Sequence, residues 1–171
     1  IYDNELKLAS NLNKITKSNN IKKFTIGRAN SSLEILEHQF LKDEQKVIFK
    51  FNNKKYSFST KLIGRVQIKN LLMAIMAAIN SKISLEKILK ITKKIKPVNG
   101  RLEQIGRLNN NGIVILDYAH TPDALETCIK DIKEQFKLRK INLVFGCGGD
   151  RDKPKRKIMG RIANKYCNKI Y

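Results

Sequence analysis

The sequence contains IVILDYAHTPD at Ile113–Asp123 and INLVFGCGGDRD at Ile141–Asp152, and in both segments an apolar run leads directly into a polar loop. Each apolar run has the length of a buried strand, and the residues after each loop repeat their apolar positions with a helical period. A strand–helix–strand–helix order indicates a parallel sheet with right-handed crossovers, which is an α/β fold. Since ligands collect beyond the carboxyl ends of such strands, we expect the two loops to face one crevice.

Both helices of this unit can be placed from the sequence. Thr121 is a natural N-cap and Pro122 a natural first residue for the first helix. The second helix is predicted to start near Lys155. The periodicity predicts two buried stripes: Leu125, Cys128, Ile129, Ile132 and Phe136 in the first helix, and Ile158, Met159, Ile162 and Tyr166 in the second.

Residues 1–31 are polar and Asn-rich, whereas Leu33–Leu62 has the pattern of β structure. Asn52-Asn53 separates two alternating runs and predicts a hairpin with strands at Lys46–Phe51 and Lys55–Thr60. Further short strands are predicted at Lys23–Ile26 and Glu34–Leu41.

Helices are predicted after Gly64. The small apolar residues from Asn70 to Ile79 indicate a buried helix, and Ser84 is a plausible N-cap for another. Pro97 and Gly100 end that second helix, so Pro97–Gly100 is the best candidate for a domain boundary.

Composition limits the class of protein. A hydrophobic content of 42% suits a packed core and excludes disorder. No apolar run approaches the roughly 20 residues that span a bilayer. Three cysteines without metal-ligand spacing suggest reduced thiols in a cytoplasmic protein. The chain begins at Ile1, and we expect it to be an internal piece of a longer protein.

The net charge of +20 raises the possibility of a nucleic-acid partner. However, the lysines are dispersed rather than clustered, and aromatic residues make up only 7% of the chain without forming a stacking pattern. Lys, Asn and Ile are all frequent, as an AT-rich coding sequence would produce. We therefore attribute the charge to compositional bias and do not expect a nucleic-acid partner.

Four residues could bind a nucleotide, and each has an ordinary structural alternative. Asp117 could accept from ribose hydroxyls or cap its own turn. His120 could contact a phosphate or act as an acid or base, or be a plain loop histidine. Arg101 could reach phosphate oxygens or pair with Glu103. Asn70 could read a base edge or cap the helix that it opens.

The second loop suits a zwitterionic ligand. Gly146–Gly149 let the backbone approach a ligand closely, and the following helix directs its positive end toward the same place. Asp150, Arg151 and Asp152 add charges of both signs, which suits an amino acid with its carboxylate on Arg151. A plain strand–helix turn would explain the glycines alone. Cys147 lacks a nearby base and is interpreted as a packing residue.

These motifs together resemble the Mur ligases of peptidoglycan synthesis. The resemblance rests on Asp117–Asp123 and on Val144–Lys153, and most closely fits the MurE type, the UDP-N-acetylmuramoyl-tripeptide synthetases. Upstream, Leu62–Gly64, Asn70 and Val98–Glu103 occur in the family's order. The resemblance covers nearly the whole chain and weakens before Leu33.

The resemblance implies a two-domain piece of an ATP-dependent ligase. Residues 1–98 would be the C-terminal part of the central ATPase domain, and residues 99–171 the first half of the Rossmann-like C-terminal domain. In this family ATP, with Mg²⁺, phosphorylates the terminal carboxylate of UDP-N-acetylmuramoyl-L-alanyl-D-glutamate. The amine of meso-diaminopimelate or L-lysine then attacks the acyl phosphate. We expect a cytoplasmic monomer without a membrane partner.

Family roles carry over position by position. Asn70 matches an asparagine that contacts adenine, Arg101 an arginine near the nucleotide phosphates, and Asp117 the aspartate that binds the ribose hydroxyls. His120 lies in the same ATP-facing loop, and Arg151 matches the arginine that binds a carboxylate of the incoming diamino acid. No catalytic residue or metal ligand is predicted among these 171 residues.

Three positions depart from the family pattern. Gln67 stands where an asparagine is usual, Pro154 where glycine is common, and Lys157 where proline is usual. The Gly-Lys-Thr phosphate loop and the carbamylated lysine that holds magnesium are absent from this sequence. We therefore expect the isolated chain to have no ligase activity, because phosphoryl transfer depends on such groups.

The sequence alone leaves three other interpretations of the function open. Folylpolyglutamate synthetase is a ligase of the same superfamily that shares an Asp-x-Ala-His loop, although Gly146–Asp152 argues against it. The second reading is a basic nucleic-acid-binding module, and the third is a Rossmann-like binding domain without catalysis.

Overall fold

The computed structural model describes residues 1–41, 44–148 and 152–171. The chain divides into two compact units, Ile1–Lys96 and Pro97–Tyr171. Each unit combines helices with at least one pair of parallel strands, which confirms the mixed α/β class predicted from the sequence.

Within the described residues, the first unit combines a five-stranded sheet with three α-helices. The elements in chain order are β1 (Tyr2–Asp3), α1 (Ala9–Ser18), β2 (Thr25–Gly27), β3 (Leu33–Phe40), β4 (Gln45–Phe51), β5 (Lys54–Thr60), α2 (Arg65–Asn80), α3 (Leu85–Ile91) and a single 3-10 turn (Thr92–Lys94). The strands lie in the order β1-β2-β3-β4-β5. The pairs β1–β2 and β2–β3 are parallel, and the pairs β3–β4 and β4–β5 are antiparallel.

The β4–β5 hairpin confirms the prediction made from Asn52-Asn53. Asn52 and Asn53 have φ values of 46° and 60°, and Phe51 pairs with Lys54 across the turn. A two-residue hairpin with both central φ angles positive matches the right-handed twist of the strands, and asparagine tolerates this conformation better than most residues. The predicted strand Glu34–Leu41 is also present, as β3.

Helix α2 begins earlier than the sequence pattern predicts. It starts at Arg65, directly after Gly64, whose φ of 84° breaks the preceding extended chain. The prediction that Asn70 opens this helix is wrong, because Asn70 is an exposed residue inside it. The core-facing positions start with Ile68 and continue one helical turn at a time to Met76, so the apolar stripe is longer than the run of small residues that suggested it.

Helix α1 was not predicted at all. Its sequence, ASNLNKITKS, is polar on most sides, and Ala9 is its one buried residue. The polar, Asn-rich composition of this region hid the helix, because most residues of α1 are exposed on the surface. The short strand predicted at Lys23–Ile26 is found slightly later, as β2.

One hydrophobic core holds the first unit together. Phe49 and Phe58 supply aromatic surface from the sheet, with their ring centroids 6.1 Å apart in an edge-to-face arrangement. Ser84 caps α3 as predicted, accepting from the Lys87 amide. The buried cluster comprises Ile26, Leu33, Val47, Phe49, Phe58, Leu62, Ile68, Leu71, Leu72, Ile75, Met76, Leu85 and Ile88.

A buried glutamine joins the sheet to the segment that leads into α2. Gln45 is fully buried, and its Nε2 donates to the carbonyls of Leu62 at 2.6 Å and Gly64 at 3.2 Å. Its Oε1 lies 2.7 Å from His38 Nε2, which must therefore carry the proton and donate. His38 thus has a structural role, since it completes the hydrogen bonding of a buried amide.

Within the described residues, the second unit contains two α-helices and two short two-stranded sheets. Its elements are β6 (Glu103–Arg107), β7 (Ile113–Leu116), α4 (Pro122–Gln135), β8 (Asn142–Leu143), α5 (Pro154–Tyr166) and β9 (Lys169–Ile170). Strand β7 pairs antiparallel with β6, and β8 pairs parallel with β9.

The second unit confirms the predicted strand–helix–strand–helix order but changes one pairing. Strand β7 matches the prediction, whereas β8 is shorter than Ile141–Phe145. The predicted parallel sheet containing both β7 and β8 is not found in the described residues, because the two strands lie in different sheets and β8 pairs in parallel with β9 instead. The antiparallel partner of β7 is β6, which the sequence analysis missed because Glu103–Arg107 includes both a glycine and charged residues.

Helices α4 and α5 pack on a common cluster. Thr121 caps α4 as predicted, its hydroxyl accepting from the Ala124 amide, and Pro122 is the first helical residue. The prediction that Ile158 is buried is wrong, because 45% of it is exposed. The buried face of α5 contains Met159 and Ala163 instead, which are four residues apart and therefore lie on the same side of the helix.

No helix in the described ranges has both the length and the apolar character that crossing a bilayer requires.

We predict that Gln45→Ala destabilises the first unit by about 2–3 kcal/mol, because it removes three hydrogen bonds: those to the Leu62 and Gly64 carbonyls and the one from His38 Nε2. Urea unfolding followed by circular dichroism measures this. Gln39→Ala, an exposed glutamine on the adjacent strand, is the control and should cost less than about 0.5 kcal/mol. Equal losses in the two variants would contradict the structural role of Gln45.

Candidate functional site

Asp117 lies where β7 ends, and both oxygens of its carboxylate are engaged. Oδ2 accepts from the Leu102 amide at 2.8 Å, and Oδ1 accepts from the Ala119 amide at 2.9 Å. The first bond ties the end of β7 to the loop before β6, and the second forms a local turn. Since an ionised carboxylate offers about four acceptor positions, Asp117 retains capacity for a ligand hydroxyl.

The loop that precedes β6 has an unusual backbone. Leu102 has a φ of 47° although it is not glycine, and its side chain is almost fully buried. Such a conformation costs roughly 1–2 kcal/mol in a residue with a Cβ atom, so surrounding contacts must hold it. Those contacts are the Leu102 bond to Asp117 and the bond from the Gly100 amide to the Glu103 carboxylate at 2.8 Å.

These two loops carry a cluster of three side chains, Arg101, Tyr118 and His120. The guanidinium carbon of Arg101 lies 5.0 Å from the Tyr118 ring centroid. The ring centroids of Tyr118 and His120 lie 5.2 Å apart with a steep angle of 65° between their planes. His120 Nδ1 lies 3.2 Å from the Tyr118 carbonyl, so Nδ1 carries the proton in that contact and Nε2 is left for a ligand.

The structure therefore brings together three of the predicted nucleotide-binding residues. Arg101, Asp117 and His120 lie on two loops that Asp117 itself connects. Asn70 lies on α2 of the other unit, and its exposed position leaves its amide accessible rather than used as a cap. Arg151, predicted to bind the amino-acid carboxylate, lies outside the described residues.

Tyr118 was not predicted as a functional residue. Its position between Asp117 and His120 in the sequence gave no reason to choose it. The only hint in the sequence was an aromatic residue in a polar loop whose neighbours were already candidates.

The glycine-rich loop is described only in part. Ala119 of the first loop and Cys147 of this one pack against the same cluster around Leu125 and Ile129, so both loops border one core. The Cys147 sulfur lies 3.5 Å from the Met159 sulfur, which supports the packing role predicted for it. Gly149 and Asp150, also predicted for this site, lie outside the described residues.

The start of α5 accommodates two of the departures from the family pattern. Pro154 is the first residue of α5, a position that proline favours because no intrahelical bond to its nitrogen is needed. Asp152 accepts from the Lys155 amide at 3.3 Å and so supports the first turn. Lys157 is exposed on the helix surface.

Two cysteines of the second unit, Cys128 and Cys167, do not have the environment of nucleophiles. Burial raises the thiol pKa of Cys128 from 9.0 to about 12, with further contributions from Asp117 and Asp131. Burial also raises the pKa of Cys167. The described residues contain no group of three or more His, Cys, Asp or Glu side chains that could hold a metal ion.

A cleft of about 520 Å³ lies in the first unit, beside Arg65 and Lys69. Lys69 pairs with Asp3 and Glu5 at 2.6 and 2.7 Å, and Arg65 contacts His38. These charged groups bind one another and fasten α2 to the sheet, so we assign the functional site to the loops of the second unit.

Comparison with known proteins identifies the family. The signature of the Mur ligase middle domain matches residues 1–78, and that of the Mur ligase glutamate ligase domain matches residues 100–171. The chain belongs to the Mur ligase family. Among curated Mur ligases, the UDP-N-acetylmuramoyl-L-alanyl-D-glutamate–2,6-diaminopimelate ligase of Rickettsia felis is 40% identical over 156 residues, which is 90% of this chain and 28% of that protein.

Two solved structures have the same fold as this chain. A UDP-N-acetylmuramoyl-L-alanyl-D-glutamate–2,6-diaminopimelate ligase superposes with a TM-score of 0.65 at 25% identity, over 98% of this chain and 35% of that one. Folylpolyglutamate synthetase from Lactobacillus casei superposes with a TM-score of 0.72 at 16% identity, over 99% of this chain and 41% of that one. The second likeness shows a shared fold alone. This chain spans 28% to 32% of the length of the curated relatives that it matches.

We predict that Asp117→Ala greatly accelerates hydrogen exchange at the Leu102 and Ala119 amides, because each loses its carboxylate acceptor. The loss of two charge-assisted bonds should cost about 2–4 kcal/mol of stability in the second unit. Exchange measured by NMR on the purified chain checks this. Asp123→Ala, an exposed acid in the first turn of α4, should leave both amides unchanged; protection retained in Asp117→Ala would contradict the assignment.

We predict that stability of the second unit falls as the pH rises from about 9 to about 12. The unfolded chain ionises the Cys128 thiol near its ordinary pKa of 9.0, whereas the folded chain does so only near pKa 12, so alkali favours unfolding in this window. Comparing the free energy of unfolding at about pH 8 and about pH 10.5, Cys128→Ala should lose about 1–2 kcal/mol less than the wild type. Thr127→Ala, an exposed neighbour, should behave like the wild type; identical pH dependence in all three proteins would refute this.

Proposed function

We propose that the chain forms part of an ATP-dependent ligase that adds meso-diaminopimelate to UDP-N-acetylmuramoyl-L-alanyl-D-glutamate in peptidoglycan biosynthesis. The observation that carries this proposal is the identity of 40% over nine tenths of the chain with a ligase of that name. The relatives from Rickettsia felis to Blochmanniella floridana are all named as 2,6-diaminopimelate ligases, which favours this amino acid over L-lysine. We further propose that the reaction takes place in the cytoplasm.

The domain assignment follows the resemblance. Residues 1–98 would be the C-terminal part of the central ATP-binding domain, and residues 99–171 the N-terminal part of the C-terminal domain. The division of the chain into Ile1–Lys96 and Pro97–Tyr171 is consistent with this boundary.

The proposed nucleotide site is the pair of loops that Asp117 connects. ATP would place its ribose hydroxyls on the remaining acceptor positions of Asp117, and Arg101 would contact phosphate oxygens with its planar fork of donors. His120 would approach the nucleotide with Nε2, since its Nδ1 faces the Tyr118 carbonyl. Asn70 is assigned to the adenine base by resemblance.

The proposed amino-acid site is the loop after β8. Arg151 would bind a carboxylate of diaminopimelate through a charge-assisted hydrogen bond, while the amine attacks the acyl phosphate formed from ATP and displaces phosphate as the amide forms. Mg²⁺ would neutralise phosphate charge in that first step. The ligase would act as a monomer.

The competing readings have less support. Folylpolyglutamate synthetases share the fold, but at 16% identity they indicate nothing about substrate. A nucleic-acid module would need a concentrated basic face, and the lysines occur throughout both units. Binding to duplex DNA that persists at high salt without any response to nucleotide would favour that alternative.

The decisive experiment is a hybrid ligase in which this chain replaces the matching segment of the Rickettsia felis relative. We predict ATP-dependent product with diaminopimelate and little with L-lysine, measured as phosphate release and by mass spectrometry. The 171-residue chain alone should release no phosphate above background. A folded but inactive hybrid beside an active parent, or activity of the chain alone, would contradict the proposal.

Within the hybrid ligase, Arg151→Ala should raise KM for diaminopimelate about 10- to 100-fold, as expected for one lost charge-assisted bond. Arg161→Ala is the matched control, because Arg161 is an exposed arginine on α5. It should change KM less than about twofold. Similar changes in both variants would remove the reason for placing the carboxylate at Arg151.

A further inference from the structure

Tyr118 is an exposed aromatic residue with no share in the core. Its side chain is 64% exposed, whereas the next residue, Ala119, packs against the cluster around Leu125. Burial therefore does not account for an aromatic side chain here. What the ring does contact are the side chains of Arg101 and His120.

The backbone around Tyr118 is fixed on both sides. Asp117 Oδ1 accepts from the Ala119 amide at 2.9 Å, which closes a turn over Tyr118. The Tyr118 carbonyl lies 3.2 Å from His120 Nδ1. The ring is thus carried on a short, hydrogen-bonded turn and has a defined direction toward Arg101.

Both ring contacts have favourable electrostatics. The face of an aromatic ring carries negative potential, which attracts the Arg101 guanidinium at 5.0 Å from its centroid. The steep angle between the Tyr118 and His120 rings is the edge-to-face arrangement that aromatic pairs prefer. Both contacts narrow the rotamers that Arg101 and His120 sample, and ordering these side chains before a ligand binds removes part of the entropic cost of binding.

We propose that Tyr118 is a positioning residue: its ring holds the Arg101 guanidinium and the His120 imidazole in the orientation that binds a nucleoside triphosphate. This inference rests on the proposed nucleotide site. Tyr118 acts through its two neighbours, so the ring is needed and the hydroxyl is not.

The first test observes the contact itself in the purified 171-residue chain. The chain has two histidines, and the substitution His120→Gln assigns their imidazole NMR signals. We expect Tyr118→Leu to abolish the ring-current shift of the His120 C–H signals and Tyr118→Phe to retain it. Because the side chain is exposed, neither substitution should change the circular dichroism spectrum or the unfolding free energy by more than about 0.5 kcal/mol.

The second test measures the consequence in the hybrid ligase. Tyr118→Leu should raise KM for ATP about two- to fivefold, the loss of one exposed cation–aromatic contact, with kcat within about twofold of the wild type. Tyr118→Phe should restore the wild-type KM, which a role for the hydroxyl would not allow. Tyr171→Leu, another exposed tyrosine of the same unit, is the control and should leave KM unchanged.

The outcomes separate the two proposals. An unchanged His120 signal or an unchanged KM for ATP in Tyr118→Leu would overturn the positioning role even if the hybrid is fully active. If the wild-type hybrid does not use ATP, the proposed function is wrong, and the His120 signals in Tyr118→Leu still decide whether the ring holds its neighbour.

Discussion

The candidate site depends on one carboxylate that accepts hydrogen bonds from two loops. Asp117 binds the Leu102 amide with one oxygen and the Ala119 amide with the other, at 2.8 and 2.9 Å. The first bond, together with the bond from the Gly100 amide to Glu103, holds the Leu102 backbone in its unfavourable conformation, and the second closes the turn that carries Tyr118. The positions of Arg101 and His120 both follow from these two bonds. Asp117 thus combines the two roles that the sequence offered as alternatives, a structural cap and a residue with acceptor capacity left for a ligand.

Local signals in the sequence predicted much of the fold. The Asn52-Asn53 hairpin and the caps at Ser84 and Thr121 were correct, because each depends on residues adjacent in the chain. The errors arose where distant contacts decide. The start of α2 at Arg65 depends on where its face meets the core, and β6 forms because β7 offers an edge to pair with.

The site was predictable as a set of residues but not as an arrangement. Arg101, Asp117 and His120 were selected for their chemistry and their place after a strand, and the structure does bring them together. The sequence could not show that Asp117 joins the two loops, since Leu102 and Asp117 are fifteen residues apart. Nor could it distinguish Tyr118 from a surface aromatic residue, because its importance comes from the orientation of its ring.

Leu102 must satisfy two conditions that no single residue type meets well. Glycine or asparagine would relax its backbone at a φ of 47° but would leave a void where the buried side chain now lies. A branched residue such as valine or isoleucine would fill the space and increase the torsional conflict. We therefore expect that substitutions at position 102 do not raise the stability of this protein, because each one either leaves a void or increases the torsional strain.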